Sequence, residues 1–155
     1  MTEGAVHSIN LSAGGVPKLA QPDTFITAEG LRGDWQRDRR YHGGPQRAVC
    51  LYSLELIRAL QAEGHPIAMG TIGENLTLTG IDWTMMVPGA ALEVGAAALE
   101  LTDYAGPCEN IAGSFIDGGF LRVSQKKHAG WSRLYARVLR EGAVRVGDGV
   151  RVQPR

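Results

Sequence analysis

Cysteine is scarce in this 155-residue chain: Cys50 and Cys108 are the two present. Two thiols do not make a disulfide framework, and these two do not stand at the Cys-x-x-Cys spacing of a redox dithiol or half a zinc site. An excess of one charge sign is also missing. Sixteen Lys and Arg balance sixteen Asp and Glu, which gives no support to a nucleic-acid or membrane-surface role. No window approaches the ~18 apolar residues of a membrane span. The start, Met1 to His7, has no basic stretch leading into an apolar run, so no signal peptide is expected. Without one, the Asn-x-Ser/Thr triplets at Asn10 and Asn75 read as chance matches. Together these absences predict a cytoplasmic protein with both thiols free. Gly-x-Ser-x-Gly, Walker A and Gly-x-Gly-x-x-Gly patterns are absent as well, so hydrolase and nucleotide-loop readings find no support.

What the chain does have is glycine. Its 21 glycines are roughly twice the usual ~7% of residues. They are neither tandem nor periodic. They punctuate short apolar runs, as in an all-β domain with many tight turns. The length suits one domain over residues 1–155. A domain of this size buries about 68–70% of its unfolded surface, so it needs no disulfide or structural metal to fold.

Several elements can be read from pattern. Val6 to Leu11 is a short apolar–polar segment. Thr24 to Thr27 is β-branched and aromatic, hence a strand. Gly30 to Gln46 is a polar loop, and Arg47 to Tyr52 a buried strand. Ser53 looks like a helix N-cap. Leu56, Ile57 and Leu60 share one helical face and Gly64 with Pro66 ends the run, which predicts a helix over 54–63. Ala90 to Val94 and Ala98 to Thr102 form a hairpin with Leu92, Val94, Leu99 and Leu101 on one buried face. Ser132 to Arg140 fits a helix or a strand. Gly142 to Val152 reads turn–strand–turn–strand.

Three stretches could carry chemistry. In Gly106-Pro107-Cys108-Glu109-Asn110, Pro107 stiffens the approach to a thiol set in polar company after a strand. Such a thiolate can ligate a soft metal, carry a persulfide or attack an electrophile; the alternative is an inert, half-buried cysteine at a turn. Cys50, inside an apolar strand, reads as a small core hydrophobe. The second stretch runs from Arg32 to Arg47 and holds Arg32, Arg37, Arg39, Arg40 and Arg47 with Asp34, Asp38 and His42. Arginine forks match phosphate and carboxylate, and Gly43-Gly44 lets backbone N–H groups approach a ligand. This suits a small anion, or else a solvated loop whose charges pair among themselves. Metal binding by Asp34, Asp38 and His42 would need a helix that Gly33 and Gly43-Gly44 oppose. The third is Gly70 to Thr77, where Glu74 and Asn75 in a Gly-framed turn either point into a site or complete an ordinary turn. His7, His65 and His128 have no Cys or His at a metal-ligand spacing.

In order along the chain, Gly33-Asp34, Asp38, Tyr41-His42-Gly43-Gly44 through Arg47-Ala48-Val49, then Gly73-Glu74-Asn75-Leu76, then Pro107-Cys108 resemble the MOSC domain (molybdenum cofactor sulfurase C-terminal domain), in its stand-alone bacterial form. The resemblance implies a mostly β, closed barrel of complex strand order, pyruvate-kinase-barrel-like, with a few short helices. Ser132 to Arg140 would then be a strand. It implies molybdenum cofactor (molybdopterin) binding, with Cys108 as catalytic thiol and molybdenum ligand or as sulfur carrier. Lys18, Arg32, Asp34, Asp38, His42, Gly43, Gly44, Arg47, Glu74 and Asn75 would line the cofactor site. The partners implied are a separate reductase, or a pyridoxal-phosphate-dependent cysteine desulfurase. The reactions implied are reduction of N-hydroxylated substrates or sulfur transfer; simple binding of a small anion is the third reading. Two departures stand out: Asp103 to Gly106 carries no arginine where many relatives place one before Pro-Cys, and Val87-Pro88-Gly89 stands where Gly-Asp is common.

Overall fold

The computed structural model describes residues 2–34 and 44–155. Eleven strands are formed among them: β1 (Thr2–Leu11), β2 (Leu19–Gln21), β3 (Asp23–Thr27), β4 (Gly30–Leu31), β5 (Val49–Ser53), β6 (Leu76–Thr79), β7 (Ala91–Val94), β8 (Ala97–Tyr104), β9 (Leu134–Arg140), β10 (Gly142–Arg145) and β11 (Gly149–Gln153). One α-helix, α1 (Leu54–Ala62), and several short 3-10 turns accompany them. Seven strands close a barrel in the order β11-β7-β8-β9-β5-β6-β1, with β1 returning to β11. The expected mostly β closed barrel is therefore what the chain forms. β2 extends the end of β1, and β10-β3-β4 make a small separate sheet.

Every pairing in the ring is antiparallel except β5 with β6, which run parallel. Parallel neighbours need a long crossover, and α1 supplies it. Ser53 caps this helix, its hydroxyl accepting the Leu56 N–H at 3.1 Å. Leu54, Ile57 and Leu60 turn its apolar face inward.

Alternation fills the barrel. In the β7–β8 hairpin Leu92 faces Leu99, and Leu92, Val94, Leu99 and Leu101 are all buried. Val49, Leu51, Leu134 and Ala136 join the same core. Cys50 and Tyr135, one residue out of phase with these, are paired across β5 and β9. They pack with Ala105 in a separate small cluster. Period-2 geometry puts them on the other face of the sheet, and the candidate site lies there.

Several boundaries differ from the sequence expectation: β1 starts at Thr2 and β8 runs to Tyr104. The loop from Gly30 opens with β4, held by pairing of Leu31 with Ile26; two residues are too few for alternation to reveal. Arg47 lies in a 3-10 turn, Pro45–Arg47, and the strand starts at Val49. Proline's fixed φ and missing N–H suit the first position of such a turn. The ambiguous segment before Arg140 is strand β9, because β8 and β5 on either side satisfy its backbone. No helix among the described residues is long and apolar enough to cross a membrane.

Candidate functional site

A buried polar layer sits where β5 and β6 begin and β1 ends. Asn75, immediately before β6, is its hub. Asn75 Oδ1 accepts the Cys50 N–H at 3.0 Å, and Asn75 Nδ2 donates to Asp34 Oδ2 at 2.9 Å. Asp34 also takes Lys18 Nζ at 2.7 and 2.9 Å and the Ser12 N–H at 2.9 Å. The Lys18 and Asp34 side chains are 3% and 5% exposed, so this is an ion pair out of water. Asn10, from β1, donates to the Glu74 carbonyl at 3.2 Å and to Thr77 Oγ1 at 3.1 Å, and accepts Ser8 Oγ at 2.6 Å.

Glu74 is fully buried. Its Oε2 accepts from the Gly70 N–H and from Thr77 Oγ1, both at 3.1 Å. Oε1 has no partner among the described residues. Burial pushes this carboxyl up to about 7, against the pull of those hydrogen bonds and of the Arg133 charge. The turn that presents it depends on Gly70. Its φ is +83°, and a Cβ there would lie 2.1 Å from the Lys18 carbonyl oxygen, a place that only glycine fills without strain.

Cys108 is half-buried, whereas Cys50 is buried. Cys108 has extended backbone and opens the 3-10 turn Glu109–Ser114; its carbonyl accepts the Ile111 N–H at 3.1 Å. Ser114 Oγ donates to Thr71 Oγ1 at 2.9 Å, which ties the thiol-bearing segment to the Gly70–Asn75 turn. Burial raises the Cys50 thiol to about 11 despite the nearby Arg133 charge, so it stays protonated, as a core cysteine should. The Tyr135 phenol is pushed up to about 12, first by burial and then by the fields of both thiols, Cys50 ahead of Cys108. Tyr135 thus stands between the two cysteines in electrostatic terms. The Arg47 guanidinium lies over its ring, Cζ 5.6 Å from the centroid.

The sequence reading singled out more residues than this layer holds. Arg32 is exposed, its guanidinium stacked 4.7 Å above Phe25. Gly44 begins the 3-10 turn with φ 90°. Asp38, His42 and Gly43, with Arg37, Arg39 and Arg40, lie outside the described residues. Lys18, Asp34, Glu74 and Asn75 are brought together, with hydrogen bonds to one another, to Thr77 and to backbone.

Arg133 carried no signal in the sequence. It is 7% exposed, just before β9. Its Nη1 donates to the Ile72 carbonyl at 2.7 Å and its Nη2 to the Ala105 and Gly106 carbonyls at 3.4 Å each. Its Nε has no partner among the described residues. Asn10 and Ser8 were likewise passed over, as ordinary members of an alternating strand.

The MOSC domain matches residues 38–151, well over half of the chain. The chain belongs to the MOSC domain family, a family associated with the molybdenum cofactor. It is 29% identical over 147 residues to the uncharacterized protein YflK of Bacillus subtilis, covering 94% of this chain and 65% of that protein. It is 26% identical over 114 residues to protein YiiM of Escherichia coli, covering 70% and 51%. The chain thus spans between half and two thirds of these curated relatives. The fold matches the crystal structure of YiiM from Geobacillus stearothermophilus with a TM-score of 0.75 at 23% identity, over 98% of this chain and 76% of that one. It matches the YuaD protein of Bacillus subtilis at 0.71 and 19% identity, over 99% and 97%.

Proposed function

We propose that this chain binds a molybdenum-bearing pterin cofactor through Cys108 and supports two-electron reduction of an N-hydroxylated or N-oxide substrate, with electrons from a separate reductase. The observation that carries the reading is the placement of Cys108. It is the more accessible of two thiols, and it follows by two residues the Gly106 carbonyl that the buried Arg133 holds. Among the described residues no group of three His, Cys, Asp or Glu side chains could hold a metal ion. The donor set is one soft thiolate, which suits a metal whose other ligands come from an organic cofactor.

When bound, the cofactor would supply the two-electron redox chemistry. The chain's own residues supply position and charge. Cys108 offers the sulfur ligand. Arg32, Arg47 and the Gly44 backbone meet phosphate, for which arginine forks are suited. Lys18, Asp34, Glu74 and Asn75 hold the floor beneath, and Asp38, His42 and Gly43 are assigned to the same anion loop.

The test is elemental analysis for molybdenum with pterin fluorescence, on protein made in a host that synthesises the cofactor. Stoichiometric metal and pterin in the wild type, lost in Cys108→Ala, is the expected result. Full reductase activity in Cys108→Ala would overturn it.

The half-exposed setting of Cys108 also favours sulfur transfer, because a partner protein can reach it. In that reading the terminal sulfur of a persulfide on a cysteine desulfurase passes to the Cys108 thiolate. Cys108 becomes the persulfide and the desulfurase recovers its thiolate. Incubation with a pyridoxal-phosphate-dependent desulfurase and cysteine then adds about one sulfur atom (~32 Da) to Cys108. Neither metal nor sulfur, with an anion still bound by Cys108→Ala, would leave a small-anion binding module.

A further inference from the structure

We propose that Arg133 is a positioning residue for Cys108, a buried guanidinium that fixes the thiol-bearing segment and supplies the positive field under which that thiol works. The inference rests on the reading of Cys108 as the functional thiol, but on no cofactor.

Three observations carry it. First, Arg133 bridges two segments that the sequence keeps far apart. One end of its fork holds the Ile72 carbonyl, in the turn leading to Glu74 and Asn75. The other holds the Ala105 and Gly106 carbonyls, the residues just before Pro107-Cys108. The backbone closes the same link, since Ala105 N–H donates to the Arg133 carbonyl at 2.9 Å. Second, among the described residues no carboxylate lies within ion-pair distance of Arg133. Glu74, which feels the Arg133 charge, is pushed up to about 7 by its own burial. Neutral carbonyls solvate the guanidinium without neutralising it. Third, Arg133 Nε is buried with no hydrogen-bond partner among the described residues. A fold seldom keeps a buried cation with an unmade hydrogen bond unless an anion or another polar group answers it.

Arg133 is the leading charge acting on the buried Cys50 thiol and acts on the Tyr135 phenol, which also feels Cys108. A persulfide, a metal-bound thiolate and a phosphate are all anions, so a buried cation at this floor favours each of them over neutral ligands.

The test compares alkylation of Cys108 by iodoacetate, an anion, with alkylation by neutral iodoacetamide, following the Cys108 peptide by mass spectrometry in the intact chain. The ratio of the two rates reports the local field. Arg133→Met should lower the ratio by about threefold or more, and Arg133→Lys should restore most of it, since it keeps the charge. A second arm needs no variant. A field from a buried charge survives salt, whereas one from the exposed Arg32 is screened, so the wild-type ratio should hold within about twofold between roughly 0.05 and 1 M salt. An unchanged ratio in folded Arg133→Met, or collapse of the wild-type ratio in high salt, would overturn the proposal. If Arg133→Met does not fold, Arg133→Lys and the salt arm decide. Neither arm uses molybdenum or sulfur. A wild type that binds no metal but keeps a salt-resistant ratio would defeat the cofactor reading and leave this one standing.

Discussion

Asn75 and Cys50 are joined twice: the Asn75 side-chain oxygen accepts the Cys50 N–H at 3.0 Å, and the Asn75 N–H donates to the Cys50 carbonyl at 2.7 Å. The side chain thus extends the parallel β5–β6 ladder, which otherwise begins at Leu51 opposite Leu76. The same amide spends its Nδ2 on Asp34. Asn75→Ala would leave the buried Cys50 N–H without its acceptor and take one of several hydrogen bonds from Asp34, which keeps Lys18. Its cost should be about 1–3 kcal/mol, from one buried donor left unpaired. Urea denaturation of the variant should show a lowered midpoint at unchanged slope.

The Lys18–Asp34 pair should behave as a buried ion pair. Lys18→Met alone removes the cation beside a buried carboxylate, with an expected cost of about 3 kcal/mol. Lys18→Met with Asp34→Leu should be less damaging than the sum of the single changes, since it removes both charges. A double-mutant cycle by chemical denaturation reads the coupling. Additive losses would mean that the two charges do not sustain one another.

Glu74 gives a pH dependence whose sign follows from its shift. Its carboxyl rises from 4.5 to about 7 on folding. The folded chain therefore holds this proton after the unfolded chain has released it, and stability falls as pH rises between those values. Below about 4.5 both states are protonated, and above about 7 the penalty is complete. Glu74→Gln cannot ionise, so its stability relative to wild type should climb across that window and then level off, by about 1–3 kcal/mol. Thermal melts of both proteins from pH 4 to 8 measure the difference, in which the other carboxylates cancel. A flat difference would mean that Glu74 is solvated.

The two thiols should differ sharply in reactivity. In the native chain iodoacetamide should label Cys108, while Cys50, buried and raised to about 11, should react only after unfolding. Peptide mass spectrometry before and after denaturant separates them. Equal native labelling would show that the Cys50–Tyr135–Ala105 cluster opens readily.

Much of this was legible in the chain because it is local. Ser53 with the Leu56, Ile57, Leu60 stripe is a self-contained helix signal, and Leu92, Val94, Leu99 and Leu101 alternate within one hairpin. Cys108 stood out through its neighbours Gly106 and Pro107. β9 was ambiguous because both periodicities fit, and only β5 and β8 on either side decide it. Arg133 was invisible for a related reason. Its partners are Ile72, 61 residues away, and Gly106, 27 away. No spacing around Ser132-Arg133-Leu134 announces that a surface-type residue is buried there. Glu74 and Asn75 were noticed as motif residues, but their full burial could not be read from a turn framed by Gly70 and Gly73.

The barrel closes where Glu3 of β1 meets Arg151 of β11. Until β11 is in place, β1 and β7 are open edges, which are templates for pairing with another chain. Contacts between such distant positions make folding slow.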